Sequence, residues 1–158
     1  LHTIPEAAAA RDVEQTVSSI VGSRVAGVID DTGSMESNRQ RAGQLYIAAL
    51  RQYKKEIVGV FLYADGVVRR YESNANVTFQ RQGRHENTFG ALQEAAKLNP
   101  EHIILISDEQ GDDWNWSEVK RLPPVTAHCL PTDSRLVGCE KTLSRLAKDT
   151  RGQYRFAH

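Results

Sequence analysis

The chain reads as an α/β protein of the three-layer α/β/α sandwich type: a Rossmann-like, mostly parallel sheet with one antiparallel edge strand. Three observations predict it. Short runs rich in Val and Ile alternate with helical stretches of about ten or more residues, which is the pattern of βαβ units. Two of those runs, Val25 to Ile29 and Ile103 to Ile106, lack alternating polar positions, as strands buried on both faces require. Asp65-Gly66 stands between two strand-like runs as a two-residue hairpin turn, so the second run must return antiparallel.

Each element has a local reason. Pro5 to Ile20 suits a helix: Pro fits the first turn, four alanines favour propagation and Gly22 can end it. Val13, Val17, Ile20 and Val21 give it an apolar stripe, so residues 1–23 form either a helix docked on the domain or the remnant of a linker. The domain proper, 24–158, opens with the strand at Val25, followed by a helix from Met35 to Lys54 and a strand from Ile57 to Tyr63. Val67 to Tyr71 is the antiparallel edge, blunted by Arg69 and Arg70. Glu72 to Asn87 is polar and reads as a loop, with Val77 and Phe79 as its anchors. Thr88 leads a helix over Phe89 to Leu98, closed by Asn99-Pro100, and His102 to Ser107 is the fourth strand. A loop from Gly111 to Ser117 precedes a short helix stopped by Pro123-Pro124. Val125 to Leu130 then forms a strand, Thr132 to Gly138 a polar loop, Cys139 to Thr150 a helix and Gln153 to Phe156 the last strand.

With 158 residues the chain is one domain, long enough to bury about 68–70% of its unfolded surface without staples. No apolar run is long enough to span a membrane and no secretory leader is present, and the leading Leu suggests part of a larger protein. Twenty basic against twenty acidic residues create no global field for nucleic acid or anionic lipid. The local basic groups, Arg69-Arg70 and Arg81 to Arg84, read as exposed charges on a hairpin and its loop. Cys129 and Cys139 are too few for a disulfide framework and lack zinc spacing. One ends a strand and the other opens a helix close by, so a disulfide and a pair of reduced buried thiols both remain open.

The chemistry concentrates where the first strand ends. Asp30, Thr32 and Ser34 recur with period two through a turn at Gly33, so a carboxylate and two hydroxyls can converge on one point. Hard oxygen donors of this kind suit a hard divalent cation, Mg²⁺ or Mn²⁺. The same residues could instead cap the helix that follows. Asp31 points the other way by the same periodicity, and is expected to support the turn through backbone hydrogen bonds rather than to ligate. In open α/β sheets ligands bind outside the strand carboxyl ends, which is where this cluster falls.

Asp30-Asp31-Thr32-Gly33-Ser34-Met35 resembles the Asp-x-Ser/Thr-x-Ser element of von Willebrand factor type A (VWA) domains, the first part of their metal-ion-dependent adhesion site (MIDAS). That resemblance implies two further ligands, a threonine from a later loop and an aspartate ending the fourth strand. Thr88 before Phe89-Gly90-Ala91 and Asp108 after Ile103 to Ser107 stand at the matching places, in order, and the likeness runs from about Arg24 to Phe156. Glu86-Asn87 and Glu109 stand where the family often has glycines, which makes the rim more acidic. The resemblance implies a VWA fold and a Mg²⁺ or Mn²⁺ held by Asp30, Thr32, Ser34, Thr88 and Asp108, with a protein ligand's acidic side chain completing the shell.

The expected function is therefore metal-dependent protein interaction, adhesion or scaffolding, rather than catalysis. A VWA scaffold without metal is the alternative. A Mg²⁺-dependent phosphatase or receiver-like domain fits less well, because Thr32 stands where a phosphatase would have its second Asp. Glu109, Asp112 and Asp113, with Trp114 and Trp116, are expected to set partner choice on the loop after Asp108. For the tryptophans, exposed anchors and packed satellite core are both open.

Overall fold

The computed structural model describes residues 6–20, 23–32, 35, 46–72, 77, 78, 80, 85, 87–108, 110–129 and 136–156. In chain order the elements are α1 (Glu6–Ser19), β1 (Arg24–Asp30), α2 (helical over 46–52), β2 (Glu56–Ala64), β3 (Val67–Tyr71), α3 (Thr88–Ala96), β4 (His102–Ser107), α4 (Trp116–Val119), β5 (Val125–Cys129), α5 (Leu136–Asp149) and β6 (Tyr154–Phe156). The strands form one six-stranded sheet in the order β3-β2-β1-β4-β5-β6. All neighbours run parallel except β2 and β3, whose hairpin pairs Ala64 with Val67 and Val60 with Tyr71. Asp65 and Gly66 both take positive φ, 52° and 79°, as a two-residue turn matched to the sheet's twist demands.

The central strands are buried on both faces. From Val25 to Asp30 every residue of β1 is buried, and so is every residue of β4. Val25 and Ile29 join Ile104 and Ile106 in a core cluster with Val13 and Val17 of α1, Ile20 just after it, and Tyr46, Ile47 and Leu50 of α2. Ala26, Val28, Ile103 and Leu105 face the other way, into a cluster with Phe89, Leu92 and Ala95 of α3, Val119 of α4 and Leu143 and Leu146 of α5. The sheet is thus sandwiched between α1 with α2 and α3 with α4 and α5, a mostly parallel α/β sandwich with one antiparallel edge. Burying a Val or Ile side chain contributes about 1.5–3 kcal/mol before the entropy of ordering it. Val13, Val17 and Ile20 therefore pack α1 and its end against the sheet.

Element bounds differ from the sequence reading where tertiary contacts override local signals. Helix α5 begins at Leu136, ahead of Cys139, and so carries Gly138 within it. A Cβ at Gly138 would lie 2.5 Å from Gln110 Oε1, so the glycine that looks like a loop residue instead makes room for a side chain of the neighbouring loop. Helix α4 is a single turn, Trp116–Val119, and β5 ends at Cys129. Cys129 and Cys139 form a disulfide, with Cα atoms 6.6 Å apart. The expected helix over 36–45, the anchor Phe79, the Arg81 to Arg84 segment and most of the loop over 130–135 lie outside the described residues.

Candidate metal centre

Parallel pairing brings the ends of β1 and β4 together. Ile29 pairs with Ile106, so Asp30 and Ser107 come next in register and Asp108 one step beyond. Ser107 Oγ donates to Asp30 Oδ2 at 2.8 Å, across 77 residues of sequence. The other oxygen of Asp30 accepts from the Thr32 hydroxyl at 2.6 Å and from the Thr32 backbone N–H at 2.9 Å. Thr32 thus bonds back to Asp30 through both its hydroxyl and its backbone N–H. Because the hydroxyl gives its proton to the carboxylate, it could present only oxygen to a cation.

Asp30, Thr32, Thr88 and Asp108 are all buried, Asp30 and Asp108 completely. Burial, and then the charge of Asp108, push the Asp30 carboxyl up from its ordinary 3.8 to about 8, against the bonds from Thr32 and Ser107 that favour the anion. Two carboxylates brought together away from water repel each other. A proton on Asp30 relieves that repulsion, and so would a divalent cation between them.

Thr88 is the first residue of α3, and its hydroxyl donates to Tyr63 Oη at 3.0 Å. Tyr63 pairs with Asp30 in the β1–β2 register, so this bond ties α3 to the same rim. The helix N-cap, Asn87, makes no side-chain capping bond. Asp113 supplies it from the β4–α4 loop: Phe89 N–H donates to Oδ1 at 2.9 Å and Gly90 N–H to Oδ2 at 2.8 Å. Gly111, with φ 76°, comes so close that a Cβ there would lie 3.0 Å from both Thr88 Oγ1 and Trp114 Nε1.

Asp31 turns away from this cluster, as period two requires. Its carboxylate accepts from the Gln80 backbone N–H at 3.0 and 3.1 Å and forms an ion pair with Arg69 of β3. Its own N–H donates to Tyr63 O at 3.0 Å. Arg69 also donates to Tyr71 Oη at 2.7 Å and to Thr78 O at 3.2 Å, so Thr78 and Gln80 are both tied to the Arg69–Asp31 pair.

Among the loop residues expected to choose a partner, Asp112 and Asp113 are both exposed, and the carboxylate of Asp113 is engaged at α3. Trp114 and Trp116 are half-buried and stack at 5.0 Å and 15°. Phe89 abuts Trp114, Arg145 of α5 lies 3.9 Å over Trp116, and Trp114 Nε1–H donates to Gln110 O at 2.6 Å. Both rings pack in part against the cluster under α3 and α5 and in part face solvent. Ser34 and Glu109 lie outside the described residues.

Ser107, Tyr63 and Asp113 serve the site without having been singled out in the sequence for those tasks. Ser107 had a signal, a hydroxyl closing an apolar strand just before Asp108. The tasks of Tyr63 and Asp113 depend on strand register and on a loop fold that no short spacing encodes. Among the described residues no group of three or more His, Cys, Asp and Glu gathers as a metal site, so the donors that fit a cation are a carboxylate pair and hydroxyls. No protein-family model matches the chain, and no curated protein matches it in sequence.

Proposed function

We propose that the chain is a divalent-cation-dependent protein-interaction module of the MIDAS type, an adhesion or scaffold unit rather than an enzyme. The observation that carries the reading is the pairing of Asp30 and Asp108, buried side by side at the carboxyl ends of adjacent central strands, with Thr32 bonded to Asp30 and Thr88 bonded to Tyr63, the register partner of Asp30. Asp30, Thr32, Thr88 and Asp108 would hold Mg²⁺ or Mn²⁺, together with Ser34 by the spacing of the Asp30–Ser34 motif. Hydroxyl and carboxylate oxygens match the hardness of either ion. Such a cation would supply a positive centre for a partner's carboxylate, since two anionic ligands balance a divalent charge and neutral hydroxyls add none. Thr32 and Ser107 orient Asp30 for that task, Tyr63 orients Thr88, and the burial of the acidic pair excludes competing water.

A pull-down from cells expressing the parent protein, with wild type and Asp108→Ala, in millimolar Mg²⁺ and in chelator, tests the function. A partner retained only by wild type with Mg²⁺ is the expected result; equal retention in chelator overturns it. One observation favours the second reading, a VWA scaffold working without metal: both oxygens of Asp30 already accept hydrogen bonds, and its raised pKa lets a proton do the cation's work near neutrality. Calorimetric titration with Mn²⁺ at pH 8 separates the two, because the scaffold shows no saturable heat.

A further inference from the structure

We infer that Asp113 is a positioning residue of the metal site: its carboxylate clamps the β4–α4 loop to the start of α3 and so fixes Thr88 relative to Asp108. This rests on the metal-module reading and assigns Asp113 a task at that site in place of partner contact.

The donors of the site come from separate elements. Asp30 ends β1 and Thr32 follows it, Asp108 follows β4, and Thr88 opens α3. β1 and β4 are locked by sheet hydrogen bonds, but Thr88 belongs to a helix preceded by a long polar segment. Two contacts join it to the loop that follows Asp108. Asp113 accepts both Phe89 N–H and Gly90 N–H, one on each oxygen, which sets the angle of the helix start as well as its distance. Gly111 then lies close to the Thr88 side chain, where a Cβ would crowd Thr88 Oγ1 at 3.0 Å. The clamp thus grips the residues on one side of Thr88 while Tyr63 holds its hydroxyl from another. Partners of this kind, which orient a ligand without touching the metal, typically cost 10–100-fold in affinity when removed.

Ordinary helix capping would place the same two bonds, so the test must separate a cap from a clamp. Asp113→Ala removes both. Asp113→Ala combined with Asn87→Asp puts a carboxylate at the N-cap, restoring a local cap but not the tie to the loop. Val13→Ala, on the opposite face of the sheet, serves as a destabilised control. Mn²⁺ affinity is measured by calorimetry, stability by thermal melting and the clamp itself by amide exchange at Phe89 and Gly90.

The expected result is a loss of Mn²⁺ affinity of about tenfold or more in Asp113→Ala, unrescued by Asn87→Asp, with Val13→Ala binding as wild type. Exchange at Phe89 and Gly90 should quicken in Asp113→Ala. Gly111→Ala, which pushes the loop off Thr88 without touching Asp113, should lose affinity in the same direction. Wild-type affinity in Asp113→Ala, or full rescue by the N-cap aspartate, overturns the positioning role and leaves the metal reading standing. If wild type itself binds no Mn²⁺, the metal reading falls and this role falls with it.

Discussion

The two ends of the sheet bury ionisable groups in opposite ways. At the amino end, His102 opens β4 and bonds Thr126 through Nε2 at 2.6 Å. Burial, with Lys55 adding its charge, lowers its pKa from 6.5 to about 4, so the imidazole stays neutral and needs nothing further. At the carboxyl end, burial and Asp108 raise Asp30 to about 8, so the anion is disfavoured there unless something offsets its charge. One end is a finished interior; the other stores repulsion that a proton or a cation can release. Both are buried polar positions with a like-charged neighbour, and they differ in that the imidazole loses its charge by giving up a proton whereas the carboxyl must take one on.

Metal should break the symmetry most strongly. Mg²⁺ or Mn²⁺ at about 100 times its dissociation constant should stabilise the fold by about 2.7 kcal/mol. For a chain of this size that raises the melting temperature by about 5–10 °C. The rise should vanish in Asp108→Asn, and a wild-type melting curve indifferent to either ion would refute the comparison.

Next in size is pH. A raised acid favours the folded state below its unfolded pKa, and that stability is lost as pH climbs from 3.8 towards 8. His102, lowered, works the other way: its stability is present above 6.5 and is lost as pH falls towards 4. The two slopes oppose each other below about pH 6.5, leaving Asp30 alone above it. Without metal, stability should therefore fall by about 2 kcal/mol between pH 6.5 and 8, at about 1.4 kcal/mol per unit. Denaturant titrations of Asp30→Asn should show that fall flattened, and His102→Asn should leave it intact.

A smaller effect distinguishes the adjacent acids. Asp31→Asn weakens the ion pair with Arg69 and should cost about 1–2 kcal/mol, within the range of hydrogen bonds to charged groups. Mn²⁺ affinity should stay within about twofold of wild type, because Asp31 faces the 77–80 segment; a loss as large as that of Asp30→Asn would put the register of the turn in doubt.

The fold was legible in the sequence because its signals are local and strong. Unalternated apolar runs marked the two central strands, and Asp65-Gly66 marked the one reversal. Period two also separated Asp31 from Asp30 and Thr32. What stayed hidden depends on register or on distant packing: Ser107 reaching Asp30, Asp113 reaching α3, Gln110 filling the space beside Gly138. The tryptophans illustrate the limit. A pair of large aromatics in an acidic loop has the composition of an interface, and the ring stack with Arg145 and Phe89 is a contact that composition could not foretell.

Strand order carries a kinetic consequence. β1 pairs on one side with β2, next in sequence among the strands, and on the other with β4, so the sheet is two consecutive halves joined along one seam. Asp30 lies on one side of that seam and Asp108 on the other. Pairing across so much intervening chain is entropically slow, and the acidic pair forms only once the halves have met. A cation that needs both carboxylates should bind after the main barrier and act as a late rivet: in stopped-flow experiments Mn²⁺ should slow unfolding and leave the refolding rate unchanged. Faster refolding with Mn²⁺ would mean instead that the seam closes first and nucleates the rest.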